Sequence, residues 1–333
     1  PSGTAVTGVT GLLDALVYDT NDSDDPGLLG ALTPGQSQRN EDFAGNKDFD
    51  SNQRCPNGSG GARNTETYEQ FEPTPGAKNT CIVVLPEACG DPYTPIYAVQ
   101  GSGLTSPLVS TEVAVEGIVV GDFQYNTTDD NGDLNGFHVQ DPFGDTDPST
   151  SDGIFIYAPG GMDVQVGDAV RVRGYVSEYE GMTEITADQI WLCASSGVVM
   201  PTPLTLPVAN VDDFEAYEGM LVTFPQALVI SEYFNYDRFG EIVLTSERRL
   251  TPTAEYEPGP DAIQAAQEFL LDKITLDDGR TSTNPDPAIH PNGNVFDLTN
   301  LFRGGDTVQN VTGVVDYSFG LYRIHPTKGA DYT

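Results

Sequence analysis

A pattern from the middle of the chain returns near its end. Gly167-Asp168-Ala169-Val170, with Gly174 and Gly181 after it, recurs as Gly305-Asp306-Thr307-Val308, with Gly313 and Gly320 after it. The last two glycines stand seven residues apart in both places, and one extra residue in the earlier interval fits a β-bulge. The openings match in kind: Val113 to Phe123 is echoed by Leu221 to Phe234, and Gly136 to Asp141 by Gly240 to Ser246. Internal similarity restricts a fold more than any single motif does. The chain should therefore carry one small β unit twice. The competing explanation is a pair of unrelated Gly-Asp hairpins.

The residues inside each copy read as short strands. Val113 to Val120, Gly136 to Gln140, Ile154 to Tyr157, Ala169 to Val176 and Thr183 to Thr186 alternate or run apolar, with glycine turns between them. Such spacing predicts a small barrel or sandwich. The second copy carries one good helix, 261–272, with Pro260 at its start and apolar residues at 262, 263, 266, 269 and 270. It is expected to pack over the barrel, and residues 277–297 after it to form a long loop. Before the repeats, one strand is expected over Leu12 to Tyr18. Short strands are expected near Gln53 and Tyr68 within a turn-rich stretch.

The chain has 333 residues, enough for two or three domains, and 50 acidic against 15 basic residues give a formal net charge of -35. Self-repulsion on that scale calls for screening by salt or bound cations. No apolar run approaches the roughly 20 residues of a spanning helix. Pro1 reads as the start of a processed or partly observed chain. The four cysteines, Cys55, Cys81, Cys89 and Cys193, lack zinc-type spacing and read as two disulfides formed outside the cytoplasm. Of three pairings, Cys55–Cys81 with Cys89–Cys193 closes one plausible unit each. The expected location is secreted and extracellular, with attachment to the cell surface compatible with it.

Chemistry is sparse. The three histidines, His138, His290 and His325, stand apart in sequence, and no nucleophile elbow, P-loop or zinc-protease motif occurs. No catalytic residues are assigned. Acidic turns are better candidates, because Ca²⁺ takes six to eight oxygens where glycine lets the backbone curl. The first set is Asp129, Asp130, Asn131 and Asp133, the second Asp19, Asn21, Asp22 and Asp24, and a weaker third Asp141, Asp145 and Asp147, with Asp152 beyond. Each could equally be a solvated acidic turn.

Nucleic-acid binding by small barrels needs aromatic faces along a basic groove. Basic residues are scarce, and those of the second copy make the better candidates. The set is Arg238, Arg248, Arg249 and Arg323, with Tyr236 and Phe239 for stacking.

A resemblance covers nearly the whole chain. Leu13-Asp14-Ala15-Leu16-Val17-Tyr18, Ser51-Asn52-Gln53-Arg54-Cys55-Pro56-Asn57-Gly58 and Pro73-Thr74-Pro75-Gly76-Ala77 resemble the back half of a lamin-tail-like domain. Thr94-Pro95-Ile96-Tyr97-Ala98-Val99-Gln100-Gly101-Ser102-Gly103, Val115-Glu116-Gly117, Gly136-Phe137-His138-Val139-Gln140-Asp141, Tyr217-Glu218-Gly219-Met220 and the ending 305–320 resemble the OB region of secreted ExeM/NucH-type endonucleases.

The resemblance implies a mainly all-β chain. Residues 1–81 would be a partial lamin-tail β-sandwich without its first strands, and 82–95 a linker. Residues 96–200 would be the first OB-type barrel and 201–333 the second, with its helical insertion. It implies an accessory, non-catalytic region that positions extracellular DNA or docks a metal-dependent nuclease domain beyond Thr333. That domain would be the user of Mg²⁺ or Mn²⁺. The alternative expectation is a structural module, self-associating through Ca²⁺-filled acidic loops into a surface layer or filament.

Overall fold

Strand order in the second half of the chain explains the repeat. The computed structural model describes residues 14–19, 23–42, 49–55, 58–79, 88–124 and 134–333. It divides into two compact units, Pro1–Val84 and Leu85–Thr333.

The first unit holds little regular structure. β1 (Tyr18–Asp19) pairs in parallel with β2 (Arg39–Asn40), and β3 (Ser51–Arg54) pairs antiparallel with β4 (Tyr68–Phe71). Between β1 and β2, Asp25 caps the helix α1 (Pro26–Leu32) by accepting the N–H groups of Gly27 and Leu28. The strands expected near Gln53 and Tyr68 are β3 and its partner β4. The strand expected over Leu12 to Tyr18 is reduced, among the described residues, to the two residues of β1, and Leu12 and Leu13 lie outside them. Cys55 is disulfide-bonded. Its expected partner, Cys81, lies outside the described residues.

In the second unit a short helix, α2 (Ile96–Gln100), leads into β5 (Glu112–Phe123), β6 (Gly136–Gln140), β7 (Gly153–Tyr157), β8 (Asp168–Tyr179) and β9 (Met182–Ser196). These five strands close a barrel in the order β5-β6-β7-β9-β8. The first strand thus pairs with the second and fourth, and the third lies parallel to the fifth. This is the Greek-key connectivity of an OB barrel. Its core is Val115, Val119, Phe137, Val139, Ile154, Ile156, Val172 and Ile185 with their neighbours.

The second copy repeats the order. β10 (Thr202–Pro203) and a 3₁₀ helix (Val211–Tyr217) precede β11 (Leu221–Phe224) and β12 (Leu228–Glu232), two halves of one first strand. The helix α3 (Tyr236–Phe239) is followed by β13 (Ile242–Thr245), the helices α4 (Pro252–Glu255) and α5 (Pro260–Leu271), and β14 (Ile274–Leu276). The chain ends with β15 (Thr307–Gln309), β16 (Val311–Ser318), β17 (Leu321–Pro326) and β18 (Asp331–Tyr332). β12 pairs with β13, β14 lies parallel to β17, and β16 returns to β11. Both barrels share one connectivity around separate cores.

The repeated glycines have matching jobs. Gly167 donates to Val119 O and Gly305 to Ile230 O, each closing the turn onto its own first strand at 2.9 and 2.8 Å. The following aspartates, Asp168 and Asp306, accept the N–H groups of Gln165 and Arg303. A Cβ on Gly174 would meet Thr186 O at 2.2 Å, and one on Gly313 would meet His325 O at 2.2 Å. The fourth and fifth strands therefore cross so closely that backbone meets backbone.

The entry to the first barrel is fastened by covalent and ionic means. Cys89 and Cys193 form a disulfide with a sequence separation of 104. Arg171, with no exposed surface, binds Glu116 at 2.6 Å and the carbonyls of Asp91 and Pro92 at 3.0 and 2.9 Å. The helix α5 departs from expectation: only Ala262 is buried, while Ile263 and Leu270 are 61% and 50% exposed. Its apolar spacing does not serve to cover the barrel.

Candidate functional site

Strand alternation gives each barrel an outer face as well as a core. On β6, Phe137 and Val139 point inward, so His138 and Gln140 point outward; on β7 and β9 the outward residues include Phe155 and Glu184. All four are nevertheless buried. The second barrel lies against this face, where Leu221 donates to Gln140, His325 neighbours His138 and Asp316 acts on Glu184.

The seam between the barrels is built from backbone and polar groups. A Cβ on Gly153 would lie 2.3 Å from Gly219 C, so the two backbone segments touch there without side chains between them. The N–H of Leu221 donates to Gln140 Oε1 at 2.8 Å, and Gln100 Nε2, which also donates to Gly153 O of its own barrel, reaches Glu218 O at 3.4 Å. Ser151 Oγ donates to Glu218 O at 2.6 Å, and the N–H of Thr183 donates to Glu218 Oε1 at 2.9 Å. Aromatic contacts continue the seam: the Phe123 ring lies 5.7 Å from His138 and 5.4 Å from His325.

On the second barrel, Asp316 of β16 and Arg323 and His325 of β17 form a buried charge cluster with Asp277, just after β14, and Glu241, just before β13. Arg323 donates to Asp277 Oδ2 at 2.7 Å and to Glu241 at 3.3 Å, with Asp316 3.8 Å away. His325 Nε2 lies 3.8 Å from Asp277 and 3.9 Å from Asp316. Burial, and secondarily the neighbouring His325, pushes the His138 imidazole well below its ordinary range. A neutral His138 suits a ring whose nitrogens make no hydrogen bond.

Beside this cluster a cavity of about 250 Å³ is lined by Asp277, Asp278, His290 and Lys328 among others. Burial, with Asp277 adding to it, raises the Asp278 carboxyl to about 7. His290 accepts the N–H of Asn292 through Nδ1, so its ring serves a turn. With its carboxyl at about 7, Asp278 can exchange a proton near neutrality. None of the hydrogen bonds or ion pairs these groups make pairs a nucleophile with a base.

The nucleic-acid candidates scatter. Arg323 is buried and ion-paired, so it presents no free charge to a phosphate. Tyr236 is 7% exposed, donates its hydroxyl to Ile289 O, and belongs to the core. Both were expected at a binding surface; alternation with apolar neighbours disguised a buried face as an open one. Arg249 is half-buried and held by Asp272 and Glu247. Arg238 and Arg248 are exposed; Arg238 stacks 4.8 Å over half-buried Phe239.

Sequence reasoning passed over a second group around the 303–305 turn. A Cβ on Gly304 would stand 3.1 Å from Tyr233 Cε1, and one on Gly305 3.9 Å from Arg248 Nε. Arg303 on that turn is exposed, as are Tyr233 at 50% and Phe234 at 85%. The signal was adjacency of Tyr233-Phe234 to the end of a strand.

Among the acidic turns, Asn21, Asp22, Asp129, Asp130, Asn131 and Asp133 lie outside the described residues. Asp19 accepts from Gln38, and Asp24 is exposed. Asp141, Asp145 and Asp147 each accept an N–H two residues on, from Phe143, Asp147 and Ser149. The two hydrogen bonds from Ser149 lower Asp147. Among the described residues, no three or more His, Cys, Asp or Glu side chains are grouped to hold a metal ion. Nor is any helix among them long and apolar enough to cross a membrane.

A family model described as a domain of unknown function (DUF8508) matches residues 198–332, the span of the second barrel. No curated protein matches. Solved structures that match include the crystal structure of fission yeast Pot1 and ssDNA. That match has 15% identity, covers 68% of this chain and 82% of that one, and has a TM-score of 0.24.

Proposed function

We propose that this chain is the accessory, non-catalytic region of a secreted metal-dependent nuclease, and that its two barrels act as one platform for a catalytic domain. The observation that carries the reading is the sealed seam. OB barrels bind oligonucleotides on the face of their second and third strands, and in the first barrel that face is occupied by the second. Its charge points the same way. Residues 96–200 contain 16 acidic and two basic residues, and both basic ones, Arg171 and Arg173, are ion-paired. Phosphate neutralisation, the main source of non-specific affinity, has no donor there.

Contact with extracellular nucleic acid falls in this reading to the second barrel, at Arg248, Arg303 and the Tyr233-Phe234 pair. A structural Ca²⁺ belongs to the same proposal and attaches to the acidic turns of 19–24 and 129–133.

Two assays test it. Purified 1–333 with Mg²⁺ or Mn²⁺ should leave supercoiled plasmid intact; nicking that tracks with the protein through purification would overturn the non-catalytic assignment. Fluorescence anisotropy with a labelled single-stranded oligonucleotide should give weak, salt-sensitive binding. Arg248→Ala and Arg303→Ala should each lower the slope of log K against log salt by about 0.7. Slopes unchanged by both substitutions would place the contact elsewhere.

A further inference from the structure

Glu218 lies on the segment that threads between the barrels, immediately before Gly219 and β11. It has no exposed surface. Its backbone forms a bridge to Val315 of β16 and accepts from Ser151 of the first barrel. Its side chain reaches the other way and accepts the Thr183 N–H of β9 through Oε1. One residue thus fastens both barrels, and its second carboxyl oxygen, Oε2, is buried with no hydrogen-bond partner.

The groups facing Glu218 are acids on every side. Glu215 stands on the 3₁₀ helix, Asp316 on β16 and Glu178 on β8, and each disfavours a charge on Glu218. Glu184 of β9 lies close enough to Asp316 to feel the same repulsion. Tyr322 of β17 spends its hydroxyl on Glu215 at 2.8 Å. The nearest guanidinium of the cluster, Arg323, is taken up by Asp277, Glu241 and Asp316. A buried carboxylate without a cation or a full set of donors is costly.

We propose that the seam between the two barrels is an alkaline-sensitive latch, which Glu218 holds shut as a neutral acid and loosens when it ionises. Burial, with Glu215 next, raises the Glu218 carboxyl well above the glutamate range. The folded state then binds a proton that the unfolded chain has released. Stability from this group is full below the ordinary glutamate range and is lost as pH rises through the raised value. On the acid side, burial disfavours a charged His138 within the seam.

The test is Glu218→Gln, which keeps an oxygen for the Thr183 N–H and cannot ionise. Exposed Glu257→Gln measures the general effect of removing one negative charge from so acidic a chain. Relative to wild type and to E257Q, E218Q should melt within about 1 °C at pH 5 and roughly 3 °C or more higher at pH 9. Small-angle scattering at pH 9 should show a larger radius of gyration for wild type than for E218Q. Melting curves for wild type and E218Q that run parallel from pH 5 to 9, or equal radii at pH 9, would overturn the proposal. If E218Q does not fold, Glu218→Met, which fills the site without a charge, takes its place with the same outcomes.

Discussion

Gly153→Ala should cost about 3 kcal/mol or more and should uncouple the two barrels. The added methyl is small, but its place is taken. It would lie 2.3 Å from Gly219 C, 2.4 Å from Gly219 O and 2.4 Å from Met220 N, all backbone atoms that cannot rotate away. The approach is as close from the other side: a Cβ on Gly219 would lie 2.6 Å from Ile154 N and 2.8 Å from Gly153 C, and its φ is +74°. Overpacking a tight interior costs about 1–3 kcal/mol where side chains can adjust, and more where they cannot. The control is Gly103→Ala, where nothing stands within 4 Å. Urea unfolding followed by far-UV and near-UV signals should give one transition for wild type and G103A, and two separated transitions for G153A. An unshifted midpoint in G153A would mean that the barrels do not meet at that point.

Arg171→Ala is expected to cost about 3–5 kcal/mol, the usual penalty for removing one partner of a buried ion pair. The guanidinium has no exposed surface and binds Glu116 together with two backbone carbonyls of the entry segment. Its loss strands a carboxylate and two acceptors at once. Because Gly90 N also donates to Glu116, the entry segment should loosen beside the disulfide. Hydrogen exchange of the 90–95 amides should rise in R171A along with the loss in urea midpoint. A change below 1 kcal/mol would show that the pair is solvated and that the disulfide alone anchors the segment.

Much of the architecture was readable because backbone geometry wrote it into glycines. Gly167, Gly174 and Gly181 and their later counterparts sit where the chain turns with positive φ or where two backbones cross. Only glycine satisfies those places, so the repeat survives in letters. The Cys89–Cys193 pairing was readable for a similar reason, since it closes one barrel.

The seam was not readable. Period-two alternation separates inward from outward residues, and it cannot say whether outward means solvent. Arg323-Ile324-His325 alternates as an exposed strand would, yet Arg323 and His325 are buried beside Asp277 and Asp316. One hint was present. Gly153-Ile154-Phe155-Ile156-Tyr157 is apolar on both faces, the mark of a strand covered on two sides. The helix 260–271 misled in the opposite direction, because its apolar residues are spaced for a core that does not cover them. Nucleic-acid candidates chosen by residue type alone inherited both errors: Arg323 and Tyr236 are inside, while Arg303 and Phe234 are outside.

Two barrels joined through the seam at Gly153, Glu218 and Gly219 should tumble as one body. ¹⁵N relaxation of the full chain tests it most directly. A single rotational correlation time shared by the strands of 112–196 and 221–326 is the predicted result. Two distinct correlation times, with shorter values in each barrel, would contradict it.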